Sequence, residues 1–254
     1  AYSVVADQIL PKLRRSKFTV NVEKIGKSDE QIKTLAKSNP SELDVEELLY
    51  SATLFDNDAD KLAIYETAIK QFPNDWRGFN DAGMILFEMG KVAQAKANFD
   101  KANTLSANNK VVKNNLGAVE LKNGNVKEAE VLFGAATGAG DEVNYNKGIV
   151  AIMKGDYKAA VDYFGKCNCD NAALANLLAG NNNEAMKKLN DNKEGSAMTS
   201  YLKAVIAARN NDTNGVLSNL KVACDKDSAM KQLAATDIEF AKLFDNADFK
   251  AIVK

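Results

Sequence analysis

The sequence predicts an all-α protein built as an array of short helical hairpins stacked side by side. Three observations carry that reading. A set of small and aromatic residues returns about every 34 positions along the 254-residue chain, which is the mark of a repeat architecture. Glycine returns with it, at the point in each unit where the chain must reverse. The only prolines are Pro11, Pro40 and Pro73, so the last 181 residues contain none. A proline inside a helix costs about 3 kcal/mol, and a long proline-free stretch rich in Ala, Leu, Lys and Glu suits consecutive helices.

The units can be followed in order. From Trp76 the chain carries Phe79, Ala82-Gly83, Leu86, Gly90, Ala95, Phe99 and Ala102. From Lys110 the same offsets hold Leu116-Gly117, Gly124, Ala129, Phe133 and Ala136. From Asp141 they hold Gly148, Ala151, Gly155, Ala160, Phe164 and Cys167. Upstream, from Glu42, Leu48-Leu49, Ala52, Tyr65, Ala68 and Pro73 follow the same frame. The first glycine of each unit lets a second helix cross closely, because it has no Cβ. The glycines at 90, 124 and 155 mark corners where φ > 0 costs little. Ala-x-x-x-Phe-x-x-Ala then sets small, large and small side chains on one helical face.

Those residues resemble the tetratricopeptide repeat, most closely over 76–172. The resemblance implies a right-handed α-solenoid of hairpins. A fifth unit with a shortened first helix is read from Ala172-Ala173, Gly180, Ala185 and Leu189. A sixth is read from Ala204, Ala207, Asn211, Val216, Leu220 and Ala223, its corner glycine replaced. The array is therefore expected over 41–226, and residues 227–254, with Phe240, Phe244 and Phe249, as helices capping its last apolar face.

Residues 1–40 fall outside the frame. A helix is expected over 2–10, stopped by Pro11, and a short strand over 17–24, where apolar and polar residues alternate. Ser28, three residues before Gln31, marks a helix start. The helix, Leu13-Arg14-Arg15 and the strand are faintly similar to the end of an OmpA-like peptidoglycan-binding domain. That resemblance would make 1–40 the remnant of an upstream domain and place the protein in a bacterial envelope or periplasm. The plainer reading is a helix and strand packed on the first repeat. The chain starts at Ala1 rather than Met, as a processed or trimmed product would.

Composition limits the function. There is no histidine, which excludes a histidine-based triad, a histidine general base and the common histidine metal sites. No glycine-rich phosphate loop or local nucleophile motif is present, so the chain is not expected to be an enzyme. A net charge of −1 and only four arginines, Arg14, Arg15, Arg77 and Arg209, argue against nucleic acid as a partner. Cys167, Cys169 and Cys224 lack the spacing of a redox or zinc motif and are read as structural thiols. No cofactor or metal is expected, and no apolar run approaches the roughly 20 residues of a membrane span.

The resemblance also implies a binding surface. In tetratricopeptide arrays the first helix of each hairpin lines a concave face, through its second, fifth, ninth, twelfth and thirteenth positions. Carried onto this chain, the candidate partner-binding residues are Arg77, Asn80, Met84, Phe87, Asn114, Leu121, Lys122, Tyr145, Ile149 and Ile152. Such a lining suits a peptide or a helix of a partner protein. The apolar members, Met84, Phe87, Leu121, Ile149 and Ile152, equally suit contacts with a neighbouring hairpin or with the array's own tail. The subfamily clamp for a C-terminal carboxylate is absent: Asn115 fits its first position, but Glu142 and Asn146 stand where Lys and Arg would be required.

Overall fold

A computed structural model describes residues 26–254. The helix expected over 2–10, the strand over 17–24 and the OmpA-like likeness lie outside the described residues. Every regular element among the described residues is helical.

The elements are α1 (Asp29–Ser38), α2 (Val45–Ala52), α3 (Asp58–Gln71), α4 (Trp76–Glu88), α5 (Val92–Leu105), α6 (Lys110–Lys122) and α7 (Val126–Ala135). They continue as α8 (Asp141–Met153), α9 (Tyr157–Phe164), α10 (Asp170–Leu178), α11 (Asn182–Asp191), α12 (Ala197–Arg209) and α13 (Thr213–Lys226). The chain closes with α14 (Ala229–Thr236), a 3₁₀ turn (Ile238–Leu243) and α15 (Ala247–Val253). α2 to α13 pair as six hairpins, α2 with α3 through α12 with α13, and the first helices of neighbouring hairpins touch from α4 to α12.

α1 begins where its capping box lies. The Gln31 N–H donates to Ser28 Oγ, and the Ser28 N–H donates to Gln31 Oε1 at 2.9 Å, so two otherwise unpaired donors are satisfied reciprocally. Ile32 and Ala36 bury one face of α1 against Leu48, Leu49 and Ala52 of the first hairpin.

The corners end their helices through a left-handed residue. Gly90, Gly124, Gly155 and Gly180 have φ between 74° and 83°. The next N–H then reaches back five residues, Lys91 to the Leu86 carbonyl (2.8 Å) and Asn125 to the Glu120 carbonyl (2.9 Å). These bonds occupy carbonyls that the helix end would leave unpaired. In the last hairpin Asn211 holds the same conformation, φ 57°, and the Asp212 N–H reaches the Ala207 carbonyl. Asparagine is the residue that best replaces glycine there.

Within each of the three best-matched hairpins the two helices meet through a glycine and a phenylalanine. A Cβ on Gly83 would lie 2.6 Å from the Phe99 ring, one on Gly117 2.6 Å from Phe133, and one on Gly148 2.7 Å from Phe164. Ala95, Phe99, Ala129 and Phe133 are almost completely buried, and burying one such ring contributes about 1.5–3 kcal/mol. The fifth and sixth hairpins place Ala173 with Leu189 and Ala204 with Leu220 in one core cluster. The smaller aliphatic chain leaves room for a Cβ.

The tail covers the last hairpin. Phe240 and Phe249 are buried, Phe240 meeting the edge of Tyr201 at 5.6 Å between ring centres. The Tyr201 hydroxyl donates to Asp237 Oδ2 at 2.6 Å, and Arg209 pairs with Glu239 while donating to the Leu177 carbonyl.

One sequence expectation fails. Cys167 and Cys169 form a disulfide and are not free thiols, their Cα atoms 5.5 Å apart. α9 stops at Gly165, φ 49°, and the buried Lys188 Nζ donates to the carbonyls of Gly165 and Cys167, both at 2.9 Å. The pinned loop brings the two sulfurs together, which residue spacing alone does not reveal. Cys224 is free and buried, and burial pushes its thiol pKa up.

Candidate functional site

Because α4, α6, α8 and α10 lie against one another, side chains one turn in from each N-terminus meet across hairpins. Asn115 Nδ2 donates to Asn80 Oδ1 (2.9 Å), Asn146 Nδ2 to Asn114 Oδ1 (3.0 Å), and Asn171 Nδ2 to the Tyr145 hydroxyl oxygen (2.7 Å). Each bond joins the fifth residue of one unit to the sixth of the next. Polar contacts continue the row at both ends. Upstream, Arg77 donates to Glu46 Oε1 at 2.7 Å. Downstream, Thr199 Oγ1 donates to Asp170 Oδ1 at 2.7 Å and Asn192 Nδ2 donates to the same oxygen. The result is a ladder of polar rungs across the stacked hairpins.

The rungs do not use every group they hold. Asn115 is only 7% exposed, yet its Oδ1 takes no hydrogen bond among the described residues. The Asn146 Oδ1 and the Asn114 Nδ2 are likewise unused. All three residues line an open groove of about 1080 Å³ along α4, α6 and α8. Acceptors and donors therefore face one cleft in succession, open to hydrogen bonds from a ligand or from water. Met84, Phe87 and Val111 supply apolar lining, with Met84 and Val111 exposed. Asp141, Glu142 and Asp162 form an acidic rim.

Five of the expected residues line this groove: Asn80, Met84, Phe87, Asn114 and Tyr145. Asn80 is buried, its oxygen held by Asn115 and its Nδ2 donating to Asp81 Oδ1 at 3.1 Å. Burial also lifts the Asp81 carboxyl above its ordinary pKa, although the Asn80 hydrogen bond opposes the shift. Tyr145 stands edge-on to Phe164, 5.4 Å between ring centres.

The other five do not line it. Arg77 is clasped by Asp75 and Glu46, which hold its guanidinium charged. Leu121 packs on the Ala129–Phe133 core, and Ile149 and Ile152 pack around Phe164. Lys122 is exposed at the end of α6. In the units from Lys110 and Asp141 the twelfth positions, Leu121 and Ile152, are drawn into hairpin packing near the corner, where the two helices converge.

Sequence reasoning missed Asn115 and Asn146 as lining residues, although their sixth-position spacing was a signal, and missed Asp162, whose place depends on how α9 ends. Among the described residues no group of His, Cys, Asp and Glu could hold a metal ion and no helix is long and apolar enough to cross a membrane.

Known proteins can now be set beside this geometry. The family model described as tetratricopeptide repeat matches residues 77–109, the unit holding Asn80, Gly83, Gly90 and Phe99. The hairpin array has the tetratricopeptide fold. Its fold is shared with solved tetratricopeptide structures. A tetratricopeptide repeat protein from Parabacteroides merdae superposes with a TM-score of 0.60 at 14% identity, covering 81% of this chain and 89% of that one. A chain of the APC/C hetero-tetramer Cut9–Hcn1 gives 0.70 at 14% identity, over 85% of this chain and 44% of that one. PilW, a widely conserved type IV pilus biogenesis factor, gives 0.57 at 16% identity, over 85% of this chain and 97% of that one. No curated protein matches the sequence. At such identities the likeness is one of fold, so the chemistry of this protein rests on its own groove residues.

Proposed function

We propose that the protein is a non-catalytic scaffold that binds an extended segment of a partner protein in the groove along α4, α6 and α8. The carrying observation is the set of unused amide groups on Asn114, Asn115 and Asn146 above exposed Met84 and Val111. An extended backbone offers N–H and C=O groups in alternation and can satisfy such a row, while its side chains fill the apolar lining. A helical partner has already spent its backbone groups internally and gains less from the rungs.

Photo-crosslinking tests the reading. A benzophenone amino acid at Met84 should trap one recurrent segment of a partner, mapped by mass spectrometry, and Val111→Glu should abolish the capture with the circular dichroism unchanged. Equal capture from a benzophenone at Val131, which lies on α7 outside the groove, would sink the idea. A trapped segment that is helical in its own protein would shift the reading to helix binding.

A second reading concerns place. The Cys167–Cys169 disulfide supports an oxidising compartment, and the pilus biogenesis factor with the same fold agrees with a cell-envelope component. Trapping free thiols with maleimide in intact cells tests it: modification of both cysteines without reductant would count against that location.

A further inference from the structure

We infer that the groove selects a cationic peptide, one carrying a bulky apolar side chain for the Met84–Val111 seat and Lys or Arg two or four residues further along. The inference rests on the groove reading above and names its ligand. Asp141 and Glu142 rise from the first turn of α8, and Asp162 comes from α9. All three line the groove and are exposed.

Their position on α8 is no argument by itself, since the first turn of any helix favours acidic residues. What marks them is that three carboxylates without an ion pair among the described residues share one groove. Four carboxylates elsewhere are matched by a cation from a neighbouring helix, Glu46 with Arg77, Glu120 with Lys96, Glu130 with Lys154, and Glu239 with Arg209. Asp141, Glu142 and Asp162 make no ion pair and no side-chain hydrogen bond among the described residues. Against them the groove lining offers one cation, Lys166, so its charge is negative by two. Nearby, the buried Asn115 keeps an unused acceptor in the same groove, a group that an incoming N–H donor would satisfy. A cleft with apolar walls focuses such a field toward a bound charge.

The spacing follows from packing. The apolar seat lies on α4 and α6, and the rim begins on α8. Helix axes in contact are about 8–10 Å apart. An extended chain rises about 3.3 Å per residue. One hairpin step therefore corresponds to about three residues, and because alternate side chains of an extended chain share a face, the cationic side chain that also meets the groove falls at i+2 or i+4.

Three fluorescein-labelled, acetylated and amidated nonapeptide pools provide the probe. Each fixes Leu, then Lys, Gln or Glu both two and four residues on, with the remaining positions degenerate. Fluorescence anisotropy at low salt should rank Lys over Gln over Glu, with about tenfold between Lys and Gln. The triple variant Asp141→Asn/Glu142→Gln/Asp162→Asn should bind all three pools alike, and 0.5 M salt should do the same to the unaltered protein. Equal affinity of the three pools for the unaltered protein overturns the charge preference and leaves the groove reading standing. Binding by none of them, or binding that survives Val111→Lys, overturns both.

Discussion

Phe133 fills the space that Gly117 leaves empty: a Cβ at 117 would come within 2.6 Å of its ring. Gly117→Ala should therefore overpack the third hairpin and cost about 1–3 kcal/mol, although alanine favours the helix. Phe133→Ala should cost about 3–5 kcal/mol by opening a cavity. The double variant Gly117→Ala/Phe133→Leu copies the Ala173–Leu189 and Ala204–Leu220 pairs of the later hairpins and should recover part of the loss. A denaturation cycle reads the coupling; simple additivity of the two single changes would show that the ring and the glycine do not set each other's size.

The Asn80–Asn115 bond is buried and joins two hairpins. Asn115→Ala leaves Asn80 Oδ1 without its donor, and a loss of about 1–3 kcal/mol is expected. Asn114→Ala removes only a half-buried acceptor and should cost less. Urea melts showing equal losses would mean that burial does not govern the rungs.

The corner residues should divide by conformation. Gly124 has φ 82°, so Gly124→Val should cost about 1–2 kcal/mol in left-handed strain. Asn211 already carries that geometry at φ 57°, and Asn211→Gly should be nearly neutral while Asn211→Val is destabilising. Thermal melts in which Asn211→Val is silent would remove the backbone argument at that corner.

Lys188 is buried with two carbonyls on its Nζ. Lys188→Met keeps much of the volume but strands both oxygens, and about 1–3 kcal/mol should be lost. Amide exchange should quicken first at 165–169, ahead of the other hairpins. Uniform quickening along the array would show that the lysine does not act locally.

Burial lifts the Asp81 carboxyl, so the folded state resists ionising it. The stability that this group contributes is greatest when it is protonated, and it declines as pH rises through its folded pKa. Asp81→Asn should raise the melting temperature at pH 7, and the gain should vanish below about pH 4, where an unperturbed aspartate protonates. An unchanged or larger gain at low pH would contradict the sign.

Contacts inside a hairpin were legible because they are local. Gly83 with Phe99, Gly117 with Phe133 and the left-handed corners at 90, 124 and 155 recur at fixed offsets within single units. Periodicity alone reports them, and the helical array follows without a partner or a fold to compare. The groove was legible only in part. Asn80, Asn114 and Tyr145 stand where the repeat frame puts them, but their hydrogen bonds reach 35, 32 and 26 residues along the chain. Those bonds depend on how far each hairpin slides and turns against the next, a quantity no single unit encodes. The same holds for the Cys167–Cys169 bond and for Asp162 on the rim, which depend on where α9 ends and on Lys188 reaching back from α11. The amino-acid pattern alone determined the hairpins, because each is closed by its own nearest neighbours. The stacking of one hairpin on another decided which polar groups are spent and which still face the groove, because that stacking is where distant parts of the chain first meet.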